Sequence, residues 1–131
     1  MRVYLDTAPV IYLVENVPVL SQVVANRVTQ EGVFIVTSDL TRLECRVKPI
    51  RTGNSGLLDD YDEFFENAVG EVVAVSSAVI DKATLVRATY NVKVPDAIHL
   101  ATAVLSGCDE FLTNDGHLAK FPNIRVSVLA A

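Results

Sequence analysis

Four carboxylates stand out because each sits in an apolar frame. Asp6 follows Val3-Tyr4-Leu5 and Glu44 follows Leu40-Thr41-Arg42-Leu43. Asp96 lies within Val94-Pro95-Asp96-Ala97-Ile98, and Asp115 follows Phe111-Leu112-Thr113-Asn114. Most other acidic residues fall in polar runs such as Asp59-Asp60-Tyr61-Asp62-Glu63, the pattern of a solvated face. Carboxylates gathered with little water repel one another and must protonate or hold cations. A convergent set of four therefore points to a divalent metal site and to phosphate chemistry. His99 and His117 are the two histidines of the chain, so an oxygen-rich ligand set favours Mg²⁺ or Mn²⁺ over zinc.

Each acid also has a bland reading. Asp6 could cap a helix, Asp96 could serve a helix N-terminus through the dipole, and Asp115 could belong to an Asn-Asp-Gly turn. Glu44, in mid-helix on an apolar face, needs a partner, and Arg42 or Arg46 would supply a buried ion pair. These four explanations are unrelated to one another, whereas one metal site accounts for all four positions. His99, three residues after Asp96, reads as a satisfied core histidine, and His117 as an exposed loop residue. Thr7, Thr113 and Asn114 neighbour the acids and could orient them or a water, or simply make turns.

The elements that must position these acids alternate. Met1 to Leu5 reads as a buried strand, and a helix opens near Thr7-Ala8-Pro9 and runs to about Asn16. Pro18 begins a second helix that ends at Glu31-Gly32. Val33 to Val36 is a second strand, and Thr37-Ser38-Asp39 caps a helix that Pro49 ends. On that helix Leu40, Leu43, Glu44 and Val47 are expected to share the inward face. An amphipathic helix over Leu57 to Val69 follows a polar turn, with Leu58, Tyr61, Phe64, Phe65 and Ala68 inward. A third strand (Glu71 to Val75), helices from Ser76 to about Tyr90 and from Pro95 to Ser106, and strands over Glu110 to Thr113 and Ile124 to Val128 complete the chain. The nearly uncharged Pro95–Ser106 helix must be buried on most sides.

Continuous apolar strands alternating with helices imply a mostly parallel sheet of about five strands covered on both faces, a three-layer α/β/α fold. Right-handed crossovers then put every strand end and every following helix start on one edge. All four acids fall on that carboxyl edge, where open α/β sheets bind ligands.

With 131 residues and half of them hydrophobic, the chain fits one domain, residues 1–131, with a substantial core. No apolar run is long enough to span a bilayer, so no membrane partner is expected. Cys45 and Cys108 lie in apolar segments without paired spacing, as reduced core residues of a cytoplasmic protein would. The net charge of −5 does not advertise nucleic acid. Arg42, Arg46, Lys48 and Arg51 nevertheless crowd around Glu44, either as a patch for a phosphate backbone or as the cationic end of a helix.

The ordered set of an Asp-Thr after the first strand, Thr41-x-x-Glu44, Pro95-Asp96-Ala97-Ile98-His99-Leu100-Ala101-Thr102-Ala103 and Leu112-Thr113-Asn114-Asp115 resembles the PIN domain, and within it the VapC-like ribonuclease toxins of toxin–antitoxin pairs. The resemblance covers essentially the whole chain. It implies a Mg²⁺- or Mn²⁺-dependent endoribonuclease in which Asp6, Glu44, Asp96 and Asp115 are the catalytic and metal-holding acids. It further implies an RNA substrate, often a homodimer, and inhibition by a small antitoxin. Arg42, Arg46, Lys48 and Arg51 would then contact the RNA backbone, and the antitoxin would dock near Val10, Ile11, Tyr12 and Leu13. Two other functions compete. One is a non-catalytic or solitary PIN-fold module that binds RNA or protein. The other is a phosphate-transfer domain with an Asp after its first strand, but Ala8 stands where the phosphatase motif has a second Asp, and no Asp ends the third strand.

Overall fold

The computed structural model describes residues 1–130. In chain order the elements are β1 (Arg2–Leu5), α1 (Thr7–Val14), α2 (Leu20–Val28), β2 (Phe34–Ser38), α3 (Asp39–Arg51) and α4 (Ser55–Glu63). β3 (Glu71–Val73), α5 (Ser77–Tyr90), α6 (Val94–Leu105), β4 (Glu110–Thr113) and β5 (Arg125–Val128) follow. The strands form one sheet in the order β3-β2-β1-β4-β5, with every pair parallel. The chain thus starts in the middle of the sheet, builds outward through β2 and β3, and returns to place β4 on the other side of β1. The strand order reverses between β1 and β4, and a crevice opens there at the carboxyl edge.

Strand alternation divides the interior in two. Tyr4, Val36 and Phe111 face α5 and α6 and pack with Val79, Val86, Leu100 and Ala103. Val3, Leu5 and Leu112 face the opposite way, against Val10, Val24, Cys45, Tyr61 and Phe65 of the α1–α4 side. This is the expected three-layer arrangement. Cys45 is buried, Cys108 is half-buried, and both are free thiols. No helix is long and apolar enough to cross a membrane among the described residues.

Several boundaries differ from expectation for local reasons. Helix α2 begins at Leu20 and not at Pro18, because Leu20 N–H donates to Pro18 O at 2.8 Å across a tight turn that puts Val19 at φ 69°. A positive φ is costly for a β-branched residue. Pro49 does not end α3. It is buried inside the last turn, which is closed by the N–H and hydroxyl of Thr52, both on Lys48 O (3.0 and 2.9 Å). The Leu57–Val69 helix starts earlier, at Ser55, and finishes in a π-helical turn over Phe64–Ala68. Ala68 is exposed there.

The inward face of α3 is the main correction. Thr41, Cys45 and Pro49 are buried, whereas Leu43, Val47 and Ile50 are 60%, 40% and 60% exposed. A capping box sets the helix phase: Thr41 N–H donates to Ser38 Oγ and Thr41 Oγ1 accepts from Ser38 N–H, both at 3.3 Å. That turns Thr41 toward the sheet, and positions 43 and 47 necessarily turn away. Glu44 therefore borders the inward face rather than sharing one with the leucines.

At the opposite edge of the sheet Glu110, 1% exposed, ties α2 and β5 to β4. Arg27 Nη2 donates to its Oε2 at 2.5 Å and the Ser127 hydroxyl donates to the same oxygen. Burial pushes the Glu110 carboxyl up, but Ser127, Arg27 and Arg125 together hold it below its ordinary value. This buried acid is paired with Arg27 and Arg125 through Oε2 and stands apart from the site.

Candidate active site

Each sequence-predicted acid lies at the carboxyl edge. Asp6 ends β1 and is the N-cap of α1. Its Oδ1 accepts from Thr7 N–H at 2.8 Å, and its Oδ2 accepts from the Thr113 hydroxyl of neighbouring β4 at 2.7 Å. Thr113 Oγ1 also accepts from the N–H of Asp115 at 3.1 Å, so one hydroxyl links the ends of β1 and β4. Asp115 caps the short 3₁₀ turn Gly116–Lys120, its Oδ1 accepting from His117 N–H at 2.9 Å. Asp96 lies in the first turn of α6 and, among the described residues, its carboxylate accepts no hydrogen bond. Capping and metal holding are therefore compatible: each cap uses particular carboxylate lone pairs and leaves others open.

Glu44 has neither arginine as its partner. Arg42 pairs with Asp39 (3.2 Å) and Arg46 with Asp62 (3.3 Å). Instead Glu44 Oε1 accepts from the Thr7 hydroxyl and lies 2.7 Å from His99 Nε2; the Thr7 bond is also 2.7 Å. The His99 hydrogen bond is the chief cause that holds the Glu44 carboxyl below its ordinary value, against the opposing effect of burial. His99 is thus buried as expected, yet it belongs to the site and not merely to the core. Thr7 and Thr113 orient the acids, whereas Asn114 donates to Tyr12 Oη at 2.8 Å.

No Lys or Arg forms an ion pair with any of the four carboxylates among the described residues. Asp96 shows the consequence. Burial raises its carboxyl above the ordinary value, and the charges of Asp6 and Asp115 raise it further, with His99 and Lys93 opposing. Like charges in a partly desolvated crevice are what a hard cation neutralises, and the donors are all oxygen, so the residues fit Mg²⁺ or Mn²⁺. The cage is not preassembled: among the described residues no three His, Cys, Asp or Glu side chains stand close enough to enclose an ion.

A depression of about 230 Å³ is lined by both Asp96 and Asp115 together with Lys93, His117 and Lys120. The lysines at this place were not expected from the sequence. They lie apart from one another in the chain and meet only because β4 brings the 3₁₀ turn beside the start of α6. The expected basic stretch is placed differently. Lys48 pairs with Glu15 (3.1 Å), and Arg42, Arg46 and Arg51 border a groove on the outer side of α3 with Leu43, Val47 and Ile50. The Val10–Leu13 stretch lies largely within the packed side of α1. Val10 is fully buried, and Ile11, Tyr12 and Leu13 are half-buried against the core.

A parallel sheet whose order reverses beside β1, with carboxylates gathered at its carboxyl edge, is an α/β fold with a ligand crevice at its switch point. The PIN domain family model matches residues 3–124, and the chain belongs to that family. Among solved structures the chain is similar to VapBC2 from Rickettsia felis bound to a promoter DNA fragment (TM-score 0.81, 14% identity, 98% of each chain covered). It is also similar to VapBC-1 from nontypeable Haemophilus influenzae (TM-score 0.78, 18% identity, 98% of each chain). A third is Mycobacterium tuberculosis VapC20, a Sarcin-Ricin loop cleaving toxin (TM-score 0.74, 16% identity, 94% of this chain and 98% of that one). No curated protein matches the chain.

Proposed function

We propose that residues 1–131 form a single PIN-like nuclease domain, a Mg²⁺- or Mn²⁺-dependent cytoplasmic endoribonuclease that acts as the toxin of a toxin–antitoxin pair. The observation that carries this reading is the four-acid edge in which, among the described residues, no lysine or arginine forms an ion pair with an acid. Asp6, Asp96 and Asp115 hold the cation directly or through water, and Glu44 holds it or orients the attacking water. Bound there, a hard divalent cation supplies a more acidic water and offsets charge developing on the scissile phosphodiester. The chain's own part is orientation. Thr113 fixes one oxygen of Asp6, Thr7 fixes one oxygen each of Asp6 and Glu44, and Asp96 remains free to move. Lys93 and Lys120, beside Asp96 and Asp115, are placed to receive the RNA backbone as it crosses the cleft. This assigns the backbone contact to them ahead of Arg42, Arg46 and Lys48, each already paired.

The antitoxin partner rests on the VapBC complexes that the fold resembles. The outer side of α3 offers it an apolar stripe, Leu43, Val47 and Ile50, bordered by Arg42, Arg46 and Arg51. That surface suits an amphipathic segment; of its three arginines Arg42 and Arg46 are paired with Asp39 and Asp62, which leaves Arg51 as the one without an ion pair among the described residues. A homodimer is the assembly the family resemblance implies. The open spacing of the carboxylates also suits the alternative, a non-catalytic RNA-binding module of the same fold.

Cleavage of RNA separates the two readings. The purified chain is expected to cut RNA with Mn²⁺, to stop in chelator, and to lose about 10²–10³ in rate in Asp6→Asn and Asp96→Asn. Variants that cut as fast as the parent would remove the proposed centre, and a parent that binds RNA without cutting it would favour the module.

A further inference from the structure

His99 occupies a place that a core histidine does not need. It is 1% exposed, and both ring nitrogens have partners at 2.7 Å: Nδ1 with the Tyr4 hydroxyl and Nε2 with Glu44 Oε1. Nε2 also lies 3.3 Å from Thr7 Oγ1 and 3.7 Å from Asp6 Oδ1, so it stands between the two acids. An ionised carboxylate only accepts, so Nε2 carries the hydrogen of the Glu44 contact. Tyr4 is itself immobile. It is fully buried and stacked on Phe111 (ring centroids 5.3 Å apart, planes 7° apart), and its hydroxyl lies 2.9 Å from Ser38 Oγ. The ring cannot flip without breaking both contacts at once.

We propose that His99 is a positioning residue for the carboxylate centre. Clamped by Tyr4 at Nδ1, it donates from Nε2 to Glu44 Oε1 and, with Thr7, leaves Oε2 as the one Glu44 oxygen free for a cation. The same N–H lies between Asp6 and Glu44 and offsets part of their mutual repulsion, work that no lysine or arginine does here. Tyr4 and Ser38 extend the restraint from the sheet into the site. The inference rests on the metal-binding reading of the acids given above.

Two measurements on the full chain test it. The first is Mn²⁺ binding by calorimetry for the parent, His99→Ala, His99→Gln and Tyr4→Phe. Outer-shell partners of metal-holding groups typically carry about 10–100-fold in affinity, and His99→Ala is expected to lose that much. His99→Gln still reaches Glu44 with an N–H and is expected to recover most of it. Tyr4→Phe keeps the stack on Phe111, removes only the hydroxyl, and is expected to weaken binding several-fold, which keeps the test open even if His99→Ala does not fold. Equal affinity in all four proteins would overturn the proposal. The second is the ¹H–¹⁵N spectrum of metal-free protein, where the His99 Nε2–H signal should be protected from exchange and should shift in Glu44→Gln. A signal that is absent or indifferent to Glu44→Gln would also overturn it. A parent that binds no Mn²⁺ but shows the responsive signal would sink the metal centre and leave the clamp standing.

Discussion

Asp96 carries the tension of the site. It opens α6, where the helix dipole favours a negative charge by about 0.3–1 kcal/mol, yet burial and the charges of Asp6 and Asp115 raise its carboxyl above the ordinary value. A carboxyl raised on folding costs stability once the pH exceeds its unfolded value, because the folded protein must then ionise it against its surroundings. Metal-free Asp96→Asn is accordingly expected to melt at a higher temperature than the parent at pH 7. The difference should shrink as the pH falls from the raised folded value toward the ordinary aspartate value of ~4, and be gone below it. Thermal melts in chelator across that range check it, and an unchanged or lower melting temperature at pH 7 would contradict it. Glu44 behaves oppositely, since His99 and Thr7 hold its carboxyl low. The sequence showed the four acids because their apolar frames are local. It hid the role of His99, whose only signal was its position three residues after Asp96, one turn along the same helix face. Tyr4 gave no signal, because a tyrosine in a buried strand is ordinary.

At the scale of elements, α3 connects the site to the surface. Its buried side carries Thr41 and Cys45, Glu44 lies at the border, and Leu43, Val47 and Ile50 face outward between arginines. If that stripe receives the antitoxin, Leu43→Glu combined with Val47→Glu should leave folding within about 1 kcal/mol of the parent, since both side chains are exposed. It should weaken capture of a cognate antitoxin by at least tenfold, an energy of about 1.4 kcal/mol. Paired measurements of melting temperature and binding decide this, and undiminished binding would move the partner elsewhere. The sequence pattern misled here because α3 has two i, i+4 rows, Thr41-Cys45-Pro49 and Leu43-Val47, and apolarity alone favours the wrong one. The capping box with Ser38 selects the other. Element existence and order were otherwise plain from the alternation of apolar runs and caps. The start of α2 was not, because nothing local announces the positive φ of Val19.

For the molecule as a whole, sheet order turns scattered residues into a site. Strand polarity was readable and put all four acids on one edge, but the order β3-β2-β1-β4-β5 was not, since it depends on crossovers that no local pattern records. That order sets β1 against β4, so that Thr113 reaches Asp6 and the 3₁₀ turn brings His117 and Lys120 beside Asp96. A chain of net charge −5 can therefore still present Lys93 and Lys120 beside Asp96 and Asp115. The central claim is that these separate acids share one hard ion, and anomalous diffraction from crystals soaked in Mn²⁺ tests it most directly. The account predicts an anomalous peak at the β1–β4 crevice, within about 2.0–2.3 Å of carboxylate oxygens of Asp6 and Asp96, with Asp115 or Glu44 completing the set. Well-ordered crystals of active protein with no peak there, or with the ion held by other residues, would contradict it.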